Sequence, residues 1–455
     1  MSIRSPPAWA APACAIAIGA AGCYASHERE DTGSARDAGA LAFDARVALD
    51  AGGDAASEPL PIEPEPDPGP DGRPSDDPGS AGWVDPDPSS FPADEPGVVP
   101  LGDAVRIDFP GGGRVASDLE WDGRRWGLLY SDSRKALFVP LQPLGAPDGA
   151  HVDLGPTSQT AVELVWAAGR FLVGMSAQET ETAEPHTATI GFLDERGVRA
   201  SEWNTFMPAA DIAAARFVYG DQWMVGWLDG RDLFVRAVDS SAHWLGEALA
   251  LTTRISLERV RLVGLKSRAI AFRLGGEGTF AHVLSVPLTA DARTSYPVFD
   301  PGAGGYRGTL GSAAFRDVAL AVVVRDFVDR NSQLQVAAFN PWDPSATVRA
   351  TIDVDLGMHG MGEPSVTADA ASGLIAICVP VDTSTPTMTG ADILVYLLGP
   401  HLEQLGAVAD IGALSPHFPP DTACKVAFSP SGMLVAWWSA SETEVWVRPV
   451  APAVR

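Results

Sequence analysis

The chain has 455 residues and a formal net charge of −26, and these values already exclude one class of function. Nucleic-acid binding proteins gain affinity from Lys and Arg that neutralise phosphates, so this charge argues against a DNA or RNA partner. A hydrophobic content of 46%, with 46 Gly, 38 Pro and few long helical patterns, is typical of an all-β protein with many turns.

Residues 1–22 have the features of an export signal. Arg4 supplies a positive charge, and the apolar run over residues 8–21 is too short to cross a bilayer as a helix. The run ends in Ala20-Ala21-Gly22-Cys23, which resembles the lipobox of bacterial lipoproteins. In that family the cysteine is diacylated and becomes the mature N-terminus. The resemblance therefore implies an exported protein held in the outer membrane or periplasm through lipid on Cys23.

The lipobox resemblance leaves two alternatives open. Ala20 stands where the family usually has leucine, so ordinary signal-peptidase cleavage near Ala21, followed by secretion, is one alternative. A disordered N-terminus with no targeting role is the other. No other segment reaches the roughly 18 apolar residues that a membrane span needs, so we expect membrane attachment only through lipid.

Residues 23–98 are predicted to be a disordered, acidic, proline-rich tether. Residues 24–98 contain 18 acidic and 4 basic residues, and proline alternates with charge over residues 59–68. Proline favours polyproline II and like charges repel, so both extend the chain. The segment has too little apolar surface to offset the entropy lost on ordering. We therefore expect a stalk that carries a folded domain of residues 99–455.

A weak repeat runs through that domain. Each copy has an apolar strand, a turn, a second strand that begins with a large residue, and then a third and often a fourth strand. The large residues that begin the second strands are Trp126, Phe171, Trp223, Arg268, Val318, Leu374 and Met433. Their spacing runs from 45 residues (Trp126 to Phe171) to 59 residues (Leu374 to Met433). Four strands in about 50 residues predict the blades of a single β-propeller, most simply seven. Six or eight blades and a two-sheet sandwich are the alternatives.

The two ends of the domain predict how the ring closes. The last unit has three strands, of which the third covers residues 444–450, and no fourth strand follows. The strand-like segment Asp103–Phe109 precedes the first unit and belongs to none. Pairing this N-terminal strand with the last blade would close the ring and leave no open edge.

Cys378 and Cys424 are predicted to form a disulfide. Processing would remove Cys14 and acylate Cys23, which leaves this pair in a compartment where disulfides persist. The two residues belong to neighbouring predicted blades, so their side chains can face each other. The alternative is two separate buried thiols that serve as small hydrophobic residues.

Motifs that carry chemistry are scarce, and we expect neither a cofactor nor a metal. Four acidic residues recur just after the second strand of their units: Asp132, Asp229, Asp326 and Asp382. Loops at that position surround one mouth of a propeller channel, so the residues could form an acidic ring for a cation or a cationic ligand. They could also act as general acids and bases. The third interpretation is that Asp starts turns and the repeat copies it around the ring.

These features predict a monomeric envelope lipoprotein whose propeller binds or scaffolds without catalysis, with an envelope protein or a glycan as partner. The alternative is a polysaccharide hydrolase or lyase with its site at the channel mouth. Whether the chain is an enzyme stays open at this point, although the missing motifs favour a binding module.

Overall fold

The computed structural model describes residues 85–453 except for a set of gaps, and near some gaps it describes the backbone alone. The gaps are residues 108–113, 133–134, 157–161, 179–185, 207–211, 217–222, 230–231, 253–256, 266–267, 276–277, 286–293, 300–305, 327–331, 355–360, 383–390, 415–422 and 440–443. The signal, Cys23 and most of the predicted tether lie outside the described residues. No helix among the described residues is long and apolar enough to cross a membrane.

The described residues form seven antiparallel sheets, and six of them are built from four consecutive strands. Blade 1 holds β3 Arg114–Trp121, β4 Trp126–Asp132, β5 Lys135–Leu141 and β6 Val152–Pro156. Blade 2 holds β7 Val162–Ala167, β8 Arg170–Gln178, β9 His186–Leu193 and β10 Asn204–Phe206. Blade 3 holds β11 Ile212–Arg216, β12 Trp223–Asp229, β13 Asp232–Val238 and β14 Trp244–Thr252.

The remaining blades follow the same order. Blade 4 holds β15 Leu257–Leu265, β16 Arg268–Gly275, β17 Gly278–Ser285 and β18 Thr294–Phe299. Blade 5 holds β19 Tyr306–Phe315, β20 Val318–Asp326, β21 Ser332–Phe339 and β22 Val348–Val354. Blade 6 holds β23 Ser365–Asp369, β24 Leu374–Asp382, β25 Ala391–Leu398 and β26 Ala409–Leu414. Blade 7 holds β27 Cys424–Ser429, β28 Gly432–Ser439 and β29 Glu444–Pro452, completed by β1 Val98–Pro100 and β2 Val105–Ile107.

The blades are arranged in a ring. The first strand of each blade contacts the first strands of both neighbouring blades, from β3 through β27 and back to β3. This confirms the predicted seven-bladed β-propeller. Five of the seven large residues singled out in the repeat begin the second strand of their blade, and Phe171 and Met433 lie one residue after its start.

Apolar side chains fill the spaces between blades. Aromatic pairs join adjacent blades, such as Phe192 with Trp223, whose ring centroids lie 5.2 Å apart, and Phe272 with Phe339 at 6.2 Å. A strand alternates its side chains between its two faces, so each blade contributes to two such layers. Trp437 accordingly packs towards blade 6, while Trp438 packs towards blade 1.

The ring has two faces, which we name for the discussion below. The hairpin face carries the turns between first and second strands and the loops between third and fourth strands. The opposite face carries the turns between second and third strands and the connections between blades. The turn of the first hairpin in blade 1 is stabilised by local hydrogen bonds. Asp122 Oδ1 accepts from the amides of Arg124 at 2.7 Å and Arg125 at 2.6 Å. Gly123, which follows Asp122, adopts the left-handed φ of +96° that the turn needs.

The N-terminal chain closes the ring, as the unpaired segment Asp103–Phe109 predicts. The two short strands β1 and β2 both pair antiparallel with β29, where Val98 lies opposite Pro452 and Ile107 lies opposite Val445. They fill the position of the missing fourth strand. The last blade therefore joins the start of the domain to its end.

The packed part of the chain begins earlier than residue 99, the boundary predicted from composition. We call residues 85–97 the strap. Asp85 Oδ1 lies 2.7 Å from Arg316 Nη1 in the first hairpin of blade 5, and Phe91 is 6% exposed in the core of blades 6 and 7. Gly97 lies so close to the loop of blade 6 that a Cβ there would clash with Leu405 O. The strap is thus a structural part of the domain, in spite of its acidic, proline-rich sequence.

Cys378 and Cys424 are joined by a disulfide in the structure, with their Cα atoms 6.2 Å apart. Cys378 lies in β24 of blade 6 and Cys424 begins β27 of blade 7, and both are buried. The bond links the blade that precedes the closing blade to the closing blade itself.

We predict that ring closure by the N-terminal strands is required for a soluble fold. Removing residues 99–112 leaves the edge of β29 unpaired, and such edges associate, so we expect aggregation in size-exclusion chromatography. As a matched control, removing residues 24–84 leaves the strap in place and should shift the melting temperature by only a few degrees. A soluble product of the first deletion with unchanged stability would contradict the closure.

We also propose that the Cys378–Cys424 bond forms in the exported protein, where it should contribute roughly 2–4 kcal/mol to stability. Mass spectrometry of non-reduced tryptic peptides should find the two cysteines in one linked species. Free-thiol labelling of both residues in the native exported protein would show that the bond does not form there.

Candidate functional site

The first strands of the blades surround a central channel that encloses a cavity of about 300 Å³. Strand edges line this channel, so its wall offers backbone groups together with side chains. Charged side chains from five blades reach the cavity: Asp118 and Glu120 of blade 1, Glu163 of blade 2, Arg261 of blade 4, Glu363 beside blade 6, and Lys425 of blade 7. The channel therefore concentrates charge where a propeller can hold a ligand.

Arg261 joins two carboxylates that belong to different blades. Its Nη1 lies 3.2 Å from Glu163 Oε1, and its Nη2 lies 2.8 Å from Glu363 Oε1. All three side chains are at most 20% exposed. Blades 2, 4 and 6 are not neighbours, so this ion-pair cluster spans the channel and ties non-adjacent blades to each other.

Asp118 accepts a hydrogen bond from an amide at the edge of the neighbouring blade. Its Oδ2 accepts a hydrogen bond from Leu164 N at 2.8 Å, and its Oδ1 accepts from Leu119 N at 2.9 Å. The first bond crosses from blade 1 to blade 2, where β7 exposes its amide to the channel. Burial raises the pKa of Asp118, while Lys425 and the two amides act in the opposite direction.

Glu120 lies two residues further along β3, on the same face of the strand as Asp118. Its side chain is partly exposed to the channel, but protein surrounds the channel and disfavours a charge there. Burial, reinforced by the negative charges of Asp118 and Glu163, raises the pKa of Glu120 well above its usual value. Glu120 therefore tends to keep its proton where ordinary glutamates have lost theirs.

For the four residues of the predicted acidic ring, the structure describes the backbone but not the side chains. Asp132, Asp229, Asp326 and Asp382 each end the second strand of their blade, in β4, β12, β20 and β24. All four positions are thus on the opposite face, as expected. Their side chains lie outside the described residues, so their role as an acidic ring stays a prediction.

A second polar cluster is buried between blades 3 and 4. Arg273 is 5% exposed and lies 4.2 Å above the ring of Phe280, and His282 is 6% exposed. Burial and the Arg273 charge lower the pKa of His282 to about 4, so this histidine is neutral at neutral pH. It has the character of a core residue.

A further cavity of about 510 Å³ lies between the outer strands of blades 4 and 5. Arg349 lines it, but its guanidinium already donates to Val298 O at 2.7 Å and to Pro297 O at 3.4 Å. The central channel gathers charges from five blades, whereas this cavity lies between two outer strands, so the channel is the better candidate site.

Comparisons with known proteins yield similarities of fold only. No protein-family model matches the chain, and no curated protein is similar to it in sequence. Hydrazine synthase from Kuenenia stuttgartiensis aligns over 77% of this chain and 99% of its own, with a TM-score of 0.45 and 13% identity. The WD40 domain of Toxoplasma gondii coronin aligns over 80% of this chain and 88% of its own, with a TM-score of 0.45 and 8% identity.

The Dos1 propeller aligns over 78% of this chain and 94% of its own, with a TM-score of 0.42 and 9% identity. Similarity at this level assigns no activity or ligand to the chain. The propeller assignment follows from the strand order and the ring of contacts described above.

Glu120 leads to a prediction about pH. Its folded pKa is raised, so its contribution to stability is complete below the unfolded pKa of about 4.3 and is lost as pH rises through the folded value. Glutamine cannot ionise, so the melting temperature of Glu120→Gln should exceed that of the wild type increasingly as pH rises, by about 1–3 °C in the alkaline range.

The matched control is Glu163→Gln, in the same channel. Glu163 is paired with Arg261, so this variant should be less stable than the wild type at neutral pH. Melting temperatures of the three proteins, measured by scanning calorimetry from pH 5 to 9, check both expectations. A constant difference between wild type and Glu120→Gln at every pH would contradict the raised pKa.

Proposed function

We propose that this chain is an exported bacterial lipoprotein, anchored through Cys23, whose propeller is a non-catalytic binding or scaffolding module at the cell envelope. One observation supports it most: four of the six charged side chains described in the channel are engaged in holding blades together. Arg261 joins Glu163 and Glu363, and Asp118 caps an amide of the next blade. A hydrolytic site needs carboxyl groups that are free to reach a substrate.

The channel lining also bears on the kind of partner. Small-molecule pockets are usually lined by apolar and aromatic side chains, but the described residues around this cavity include no aromatic side chain. The cavity therefore lacks a stacking platform for a sugar ring. An envelope protein that binds the surface of the rigid ring fits this lining better than a glycan threaded into the channel.

A hydrolase acting on polysaccharide is the second candidate, and Glu120 is the observation that favours it. A carboxyl group that keeps its proton can act as a general acid, and Asp118 is a second carboxyl on the same face of β3. Against this, both oxygens of Asp118 already accept amide hydrogen bonds.

The anchor is tested by Cys23→Ala in a bacterial host. The variant has no thiol at the site of acylation, so we expect it to leave the membrane fraction and to lose labelling by radioactive palmitate. Cys14→Ala serves as the control, since Cys14 belongs to the removed signal, and should behave as the wild type. Unchanged membrane retention of Cys23→Ala would contradict anchoring.

The binding role is tested with the mature chain carrying Cys23→Ala, added to intact envelopes. We expect saturable binding that survives Glu120→Gln, because the proposed partner binds the surface of the ring and glutamine has the same size as glutamate. If the chain instead releases sugars from envelope polysaccharide, and Glu120→Gln abolishes that release, the chain is the hydrolase and the binding proposal is wrong.

A further inference from the structure

The strap leads directly into the strands that close the ring. Strand β1 begins at Val98, immediately after the strap, and β2 follows it; both strands pair with β29 of blade 7. Residues 1–84 precede the strap in the sequence. A pulling force on that N-terminal segment therefore passes along the chain through the strap before it reaches the pairs that close the ring.

The strap crosses the hairpin face from blade 5 towards blade 7. Asp85 is paired with the first hairpin of blade 5, and Phe91 is buried in the layer between blades 6 and 7. At the other end, Gly97 N donates to Ala407 O in the loop of blade 6 at 2.8 Å, and Gly97 O accepts from Ala453 N, just after β29, at 2.9 Å. The strap thus runs around the ring, and a pull on its first residue meets these contacts one after another.

The contacts of the strap are separate and mostly small. The side chain of Asp85 is 54% exposed, so water screens its ion pair with Arg316. The 3-10 turn Pro88–Ser90 buries none of its residues. Among residues 85–97, all of which the structure describes, Phe91 is the only buried side chain. A segment with so little buried apolar surface opens at a lower free energy than a packed core.

The closing strands respond to the same pull in a different way. Strand β29 runs towards the hairpin face, and β1 pairs antiparallel with it, beginning with Val98 opposite Pro452. Strand β2 continues in the direction of β1, to Ile107 opposite Val445. The hydrogen bonds of an antiparallel pair lie perpendicular to the strands, so a pull along the strand axis loads the bonds of one strand together. The closing strands are therefore sheared, whereas the strap is peeled.

We propose that the strap is a latch that takes up tension on the N-terminal chain: under load it peels from blades 5, 6 and 7 first, while β1 and β2 stay paired and keep the ring closed. Peeling puts the force on one contact at a time and shear divides it over several bonds, so the strap yields at the lower force. Val98 and Ile107, each 1% exposed, hold the closing strands in the layers beside blade 7. The proposal rests on the proposed anchoring through Cys23, because the anchor is what puts the chain under tension in the envelope.

Peeling releases a defined length of chain. Residues 85–97 are 13 residues, and at roughly 3.3–3.6 Å for each extended residue they span at most about 45 Å. The gain in length is smaller than this, because the strap already covers part of that distance in the folded ring. Release of β1 and β2 frees residues 98–107 in a separate, later step.

The test pulls residues 23–455 in an optical trap, with one DNA handle on Cys23 and the other on Lys135→Cys. Lys135 begins β5 on the opposite face, with its side chain 53% exposed, so the force enters the ring at the hairpin face and leaves it at the opposite face. We expect a first step of less than about 45 Å at low force, reversible on relaxation, and a second step at higher force.

Two variants separate the steps. Phe91→Leu removes the aromatic ring that the strap buries and keeps an apolar side chain for folding, so the first step should move to lower force and the second should stay where it is. Ile107→Val in β2 is the matched control, since it removes one buried methylene from a closing strand, and it should lower only the force of the second step.

Two results would overturn the proposal. Release of the strap and the closing strands in one step, at one force, would mean that the strap is not a separate latch. A first step that Phe91→Leu leaves unchanged would mean that the strap contacts do not carry the load. The handles take the place of the lipid anchor, so a lack of acylation at Cys23 in cells would leave these records unchanged, and the anchoring and latch proposals fail separately.

Discussion

The pairing of β1 and β2 with β29 is the contact on which the rest of the structure depends. A propeller has no single core: its apolar side chains lie in layers between blades, and each layer needs both of its blades in place. Six blades are built from consecutive strands, but blade 7 combines both ends of the domain. If that pairing opens, the apolar layers on either side of blade 7 lose Val98 of β1 and Ile107 of β2. Closure therefore converts local hairpins into one cooperative ring.

Two features reinforce the same place. The strap carries Phe91 into the core of blades 6 and 7 and lays its backbone against the loop at Gly406. The disulfide between Cys378 and Cys424 joins blades 6 and 7 from within. The channel adds Arg261, which connects blades that do not touch as neighbours. Together these contacts stabilise the closing blade and connect blades across the channel.

The architecture was predictable from the sequence because every blade needs the same kind of residue at the same packing position. The large residue at or next to the start of the second strand packs between blades in six of the seven copies, with Arg268 as the exception, so its spacing was visible even where the copies are weak. Closure was predictable because the last unit lacks a fourth strand and the segment Asp103–Phe109 belongs to no unit. An unpaired strand edge is unfavourable, and this segment can pair with the edge of the last blade.

The strap and the channel cluster were not predictable in the same way. The strap shares its composition with the tether, which also contains Phe43 and Trp83, so nothing in the sequence marks Phe91 as the aromatic ring that is buried and anchors the strap. Arg261 is about a hundred residues from both of its partners, Glu163 and Glu363, so no spacing in the sequence brings the three together. Their meeting depends on the curvature of the ring, which follows from all seven blades at once.

Amide hydrogen exchange along β29 in the mature chain tests the account most directly. If β1 and β2 close the ring, the amides of β29 at residues 445–447 and 450–451 should exchange as slowly as those of Gly432–Ser439 in β28, because both stretches are then paired on two sides. Exchange of the outward-facing amides of β29 at the rate of an unpaired edge, with β28 still protected, would contradict closure.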